Sequence, residues 1–299
     1  MALLFIFVDG VGLGDPADYN PLYNRGYKSL HKMTNGQAFT QDANSIKTDT
    51  HVFRDLDACL GLEGLPQSGT GQAALFSGEN ASAIAGRHFG PYPYSKTKYL
   101  LKEQSMFHKA QDEGCSCHFL NAYPDVFFKK AAERNRWTCT TLMAKSAGIT
   151  LNSTEDINEE RALTADITQE LWQKKLNLNV ATISPAEATA RAVSALQQYD
   201  FLLYEYFLTD KAGHKQDEIF AHNILKKLDL FLDELITRLP EGDSLLLCSD
   251  HGNFENLDQK PHTRNKVPLY VKGPAARFFF EAQSITDVTP AIIRYFKNL

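Results

Sequence analysis

Residues Ala2 to Val8 form an unbroken apolar run that stops abruptly at Asp9-Gly10. A run this short and this uniformly apolar reads as a central strand covered on both faces, which implies a layered α/β fold. The same pattern recurs at Phe201 to Phe207, Ser244 to Ser249 and Val267 to Val271, each bounded by polar or glycine-containing turns. Between these runs, Ile219, Leu225, Leu228, Leu232, Leu235, Ile236 and Leu239 follow the spacing of one face of an amphipathic helix. Further helices are predicted from about 99 to 113 and over the closing Asp287 to Phe296, with a short strand from Cys117 to Asn121. The expected fold is a doubly wound, mostly parallel sheet with helices on both faces.

One stretch departs from this alternation. From about Asp125 to Glu187 the chain is more polar and more charged, with helical stretches predicted at 127–136 and 159–175. It reads as a small insertion or reduced cap on a core formed by 1–124 and 188–299. The opening apolar run has no basic flank and runs straight into Asp9, so it is expected to be a buried strand and not a signal peptide. No stretch approaches the ~20 apolar residues that span a bilayer. The formal charge of -5 argues against a general nucleic-acid binder. Five scattered cysteines without C-x-x-C spacing suggest reduced thiols and a cytoplasmic setting; nothing in the sequence bears on oligomeric state.

Open α/β sheets bind ligands at the carboxyl ends of their strands. Three predicted strands deliver a carboxylate there: Asp9, Asp210 and Asp250, the last followed by His251. Asp210 and His214 lie four residues apart, so on a helix they share a face and can chelate. With His262 they make a nitrogen-rich set suited to zinc, manganese or iron, while Asp9, Asp250 and His251 make a second, more oxygen-rich one. The other six histidines, His31, His51, His88, His108, His118 and His222, are expected to be structural. In Gly64 to Gln72, small residues and hydroxyls precede an apolar segment, a loop entering a helix whose amides can face an anion. Ser68 or Thr70 there is either a helix cap or a nucleophile. Gly10-x-Gly12-x-Gly14 superficially suits a dinucleotide, but Asp15 stands where the third glycine belongs and Pro16 disturbs the helix.

In this order, the motifs resemble the alkaline phosphatase superfamily, nearest to cofactor-independent phosphoglycerate mutase and phosphopentomutase. The resemblance rests on Val8-Asp9-Gly10, Asp210-x-x-Gly-His214, Asp250-His251-Gly252-Asn253 and His262-Thr263-x-Asn265-x-Val267-Pro268. It implies two divalent ions, Mn or Zn with Mg as an alternative, held by Asp210, His214 and His262 and by Asp9, Asp250 and His251, with Ser68 bridging toward both. The mutase pattern of nucleophile, two residues, glycine and histidine selects Ser68 over Thr70, with Gln72 replacing the histidine. It also implies a small phosphorylated substrate and a phosphoserine intermediate. The segment 125–187 is far too short for the large mutase domain, which favours a phosphomonoester hydrolase over the alternative, a phosphomutase acting on a small sugar phosphate or phosphoglycerate-like substrate. Arg87, Lys129, Lys130, Arg134 and Arg136 are available for substrate anions.

Overall fold

The computed structural model describes residues 1–23 and 25–299. Among these residues a sheet of seven strands is formed by β1 (Leu3–Val8), β2 (Ile46–Thr48), β3 (His51–Leu56), β4 (Cys117–Phe119), β5 (Phe201–Tyr206), β6 (Ser244–Cys248) and β7 (Val267–Lys272), in the spatial order β2-β3-β7-β6-β1-β5-β4. β4, β5, β1 and β6 are parallel neighbours, and β7 runs against both β6 and β3. Five of the seven strands therefore point one way. The sheet is α/β and mostly parallel, with an antiparallel extension on the β7 side.

The apolar run of β1 is explained by two separate cores. Leu3, Phe5 and Phe7 point into one, with the helices Ser68–Ser77, Lys98–Glu103, Met106–Asp112 and Val288–Phe296. Leu4, Ile6 and Val8 point into the other, with the helices Pro185–Leu196 and Glu218–Arg238. Alternate side chains of a strand face opposite sides, so a strand covered on both faces must be apolar throughout. No described helix is long and apolar enough to cross a membrane.

Several expected elements differ in detail. The predicted helix 99–113 is two helices, because Ser105 takes an extended conformation at the start of Met106–Asp112 and binds His108 Nδ1 at 2.8 Å. The predicted helix 159–175 is reduced to Glu170–Leu176, preceded by the short helix Thr154–Asn158. Between them Ile167 and Gln169 have positive φ, and the Asp166 carboxylate accepts from Thr164 Oγ1 and the Leu171 amide, so local turn chemistry overrides the helical pattern. Ile219 is 77% exposed, and the buried face of its helix starts at Ala221. The segment 125–187 contributes Cys139, Met143 and Ala144 to a main core, while Ile157, Ala162, Trp172 and Val180 form a small cluster with Ala122.

Candidate metal centre and nucleophile

Parallel pairing of β1 with β5 and β6 brings three carboxylates to one sheet edge. Asp9 follows β1, Asp250 follows β6, and Asp210 lies on the helix Leu208–Lys215 after β5. That helix puts His214 one turn beyond Asp210, with Nε2 3.5 Å from its Oδ2. Gly10 makes the crowding possible: its φ is +70°, and a Cβ there would lie 2.8 Å from the Asp210 side chain. Gly71 similarly lets the helix Ser68–Ser77 approach the Asp250 backbone, which a Cβ would meet at 2.9 Å.

The three imidazoles are oriented alike. Nδ1 of His262 lies 2.7 Å from the Pro66 carbonyl, Nδ1 of His214 2.9 Å from that of Lys260, and Nδ1 of His251 3.3 Å from that of Gly252. A carbonyl only accepts, so each Nδ1 carries the proton and each Nε2 turns a lone pair inward, the arrangement of metal-binding histidines. His262 Nε2 stands 3.1 Å from His214 Nε2 and 3.5 Å from Asp210 Oδ1. His251 Nε2 stands 3.4 Å from Asp9 Oδ1 and 3.5 Å from Asp250 Oδ2. Asp9, Asp250 and His251 converge as one possible ligand group, and Asp210, His251 and His262 as another.

The charge balance of this cluster calls for cations. Burial first, then the charges of Asp250, Asp210 and Glu205, push the Asp9 carboxyl well above its ordinary range. Burial, then Asp210, pushes Asp250 up to about 7. Burial drives His262 down to about 4, so it is neutral, and two inward lone pairs at 3.1 Å repel unless a cation lies between them. The ion-pair neighbours of these aspartates are only histidines among the described residues, and Asp9 Oδ1 and Asp250 Oδ2 are buried without a hydrogen-bond partner. Buried acceptors left unpaired are strongly unfavourable. Divalent ions among oxygen and imidazole donors resolve all of these strains at once, so the residues present fit the expected metals.

Ser68 begins the helix Ser68–Ser77, whose cap is the extended Gln67 without a side-chain capping bond. The Ser68 hydroxyl lies 3.0 Å from His251 Nε2. Thr70 is turned away: its hydroxyl accepts from the Phe89 amide at 3.1 Å and sits 3.4 Å from the carbonyls of Gln67 and Phe89. The structure thus brings Ser68, and not Thr70, to the cluster. The Ser68 and Gly69 amides donate to no acceptor among the described residues, whereas those of Thr70 and Gly71 are bonded to Phe89 and Gln67. Gln72 donates to Asp9 Oδ2 at 3.2 Å, which gives this glutamine a local task.

Two buried glutamates escaped the sequence reading. Glu205, on β5, accepts from Thr140 Oγ1 at 2.8 Å and from Tyr123 at 3.4 Å, and burial raises it to about 7. Its signal was there: it is the lone charge in an apolar strand. Glu255 accepts from the amides of Gly12 and Asn253 at 2.8 and 2.9 Å, from Asn265 Nδ2 at 3.0 Å, and from the Thr263 hydroxyl. It ties together the three loops that follow Asp9, Asp250 and His262. Of the five basic residues available for substrate anions, each read first as a solvated surface charge, only Lys130 lines the cavity over Ser68. Arg136 covers the Tyr92 ring and Arg87 the rings of Phe89 and Tyr94. A larger groove of about 880 Å³, beside β4, contains none of the cluster residues.

The fold is α/β and similar to that of alkaline phosphatases, and its sheet edge carries a candidate metal centre. Residues 158–298 match the model of the Metalloenzyme superfamily. A segment of 121 residues is 32% identical to the 2,3-bisphosphoglycerate-independent phosphoglycerate mutase of Coxiella burnetii, covering 37% of this chain and 23% of the mutase. Another, of 85 residues, is 32% identical to the phosphopentomutase of Helicobacter acinonychis, covering 28% of this chain and 21% of that enzyme. The matches thus span under a quarter of these curated relatives. The fold is similar to that of alkaline phosphatase from the Antarctic bacterium TAB5, with a TM-score of 0.59 at 11% identity over 99% of this chain and 97% of that one.

Proposed function

We propose that the chain transfers phosphoryl groups as a two-cation phosphomonoester hydrolase, with Ser68 as nucleophile. The observation that carries this reading is the Ser68 hydroxyl 3.0 Å from His251 Nε2, at a helix N-terminus and beside a cluster of buried carboxylates. Asp210, His214 and His262 would hold one ion and Asp9, Asp250 and His251 the other. When bound, the ions supply Lewis-acid polarisation of the phosphoryl oxygens and favour the ionised serine.

The chain's own residues supply the rest. The amides of Ser68 and Gly69, without acceptors among the described residues, would be donors for the phosphoryl oxygens, whose negative charge the helix N-terminus favours. Ser68 Oγ forms a bond to phosphorus as the bond to the ester oxygen breaks, and the proton lost by Ser68 ends on the departing alcohol. Water then cleaves the phosphoserine, giving inorganic phosphate and the original hydroxyl. Gln72, bonded to Asp9, and Asn253 Nδ2, 2.9 Å from Asp210 Oδ1, keep the carboxylates aligned.

The short segment 125–187, proposed as a reduced cap, supports hydrolysis because a mutase must return the phosphoryl group before water intercepts it. The names of the sequence relatives favour the second reading, a phosphomutase. Product analysis separates the two. Manganese-loaded protein should release inorganic phosphate from a panel of monoesters; isomerisation of one member without phosphate release would establish the mutase.

A further inference from the structure

The walls of the cavity over Ser68 bear on the organic half of the substrate. Ser68, Asp9, Gln72, Glu205 and Asp210 form the polar end of a space of about 500 Å³, a size that suits a small molecule. The rest is mainly carbon: Tyr92, Tyr123, Phe127, Trp172, Leu176 and Phe207 line it. Tyr123 and Phe127 stack with ring centroids 4.2 Å apart, a flat wall. Val126 and Leu176, each 43% exposed, also line it.

Sugar phosphates and phosphoglycerate carry several hydroxyls or a carboxylate, and each must find a partner when it leaves water. Beyond the cluster around Ser68, the cavity's side-chain polar groups are few: the hydroxyls of Tyr92, Tyr123 and Thr138, the indole N–H of Trp172, and the exposed Lys130 and Lys211. Tyr123 is already directed to Glu205. The aromatic side chains of the same walls offer a flat apolar group broad ring-on-ring contact. We propose that the substrate is a phosphomonoester of an apolar, ring-bearing alcohol or phenol, held with its phosphate at Ser68 and its ring between the aromatic walls. This rests on the phosphomonoesterase reading above.

The test compares 2-naphthylmethyl phosphate with ribose 5-phosphate and 3-phosphoglycerate on the manganese-loaded full chain. Using the benzylic-type alkyl ester in place of an aryl ester keeps the leaving oxygen from being strongly activated. The naphthylmethyl ester should exceed both others in kcat/KM by about tenfold or more, chiefly through KM, as differences in apolar contact typically yield. Phe127→Ser should shrink that ratio. Comparable constants for the three esters would overturn the proposal. If no ester releases phosphate, the hydrolase reading fails on its own, and calorimetric titration with 2-naphthylmethylphosphonate and methylphosphonate decides the pocket's preference. Binding of the naphthyl compound at least tenfold tighter, with a negative heat-capacity change, supports the apolar site. Equal binding, or none, overturns it.

Discussion

Asp250 offers a direct test of the idea that this centre is built around positive charge. Its carboxyl lies at 0% exposure, accepts the Gly10 amide at 3.3 Å through Oδ1, and leaves Oδ2 without a donor. Burial and Asp210 raise it from 3.8 to about 7. The native state of the metal-free protein therefore keeps a proton that the unfolded chain has already lost between about pH 4 and pH 7, so stability falls as pH rises through that window and levels off above it. A shift of about 3 units corresponds to about 4 kcal/mol. Asp250→Asn removes the titration, keeps the acceptor for Gly10, and points its amide toward His251 Nε2, which has a lone pair to receive it. With chelator present, the variant should be more stable than the wild type by under about 1 kcal/mol near pH 4, and by about 4 kcal/mol at pH 8. For a chain of 299 residues this is about 6 °C in melting temperature. Scanning calorimetry of both proteins from pH 4 to 8 reads the gap directly. Added manganese or zinc should reverse the order, because the wild type retains the full ligand set. A variant less stable than the wild type at pH 8 under chelator, or a gap independent of pH, would refute the reasoning.

Three further outcomes follow from the geometry. Ser68→Ala should lower phosphatase kcat by about 1000-fold or more with the fold intact, whereas Thr70→Ala should keep most activity and lose about 1 kcal/mol of stability, since the part-buried Phe89 amide loses its acceptor; steady-state kinetics and urea melts on both variants check this. Gln72→Leu should weaken divalent-ion binding by about tenfold through loss of the bond to Asp9, measured by calorimetric titration, and unchanged affinity would remove Gln72 from the site's support. Glu255→Gln sets an amide N–H group against donors that now converge on a carboxylate, and should destabilise the protein by about 3 kcal/mol in thermal or urea unfolding.

Much of the ligand arrangement was legible because it follows from sheet geometry. A strand that is apolar at every position must be covered on both faces, and such strands run parallel with function at their carboxyl ends. Asp9, Asp210 and Asp250 could be placed on that edge without coordinates. The four-residue spacing of Asp210 and His214 needed only a helix, which the residues Leu208–Lys215 form. The choice between Ser68 and Thr70 was not legible from the loop alone, since both hydroxyls lie in the first turn of one helix. It depends on Phe89, a distant residue that takes up Thr70. Glu255 was invisible for a related reason: its partners Gly12, Asn253, Thr263 and Asn265 belong to three loops, and no local pattern links them. The helix breaks at Ser105 and around Asp166 were missed because local side-chain hydrogen bonds, between Ser105 and His108 Nδ1 and from the Leu171 amide to Asp166, compete with the helical register at single residues.

The pairing of β1 has a consequence for the order in which the molecule assembles. Leu3 lies beside Phe201 on one side and Ser244 on the other, so β1, made before either partner, waits for strands made some two hundred residues later. Contacts of such long sequence separation form slowly. The ion-binding groups inherit the delay, since Asp9 meets Asp250 only after those strands align. Cation capture would therefore act as a proofreading step: a chain lacking its C-terminal strands has no centre to fill. Bound ions should raise amide-exchange protection across the whole sheet together, rather than in one loop, because the binding energy rewards only the finished arrangement.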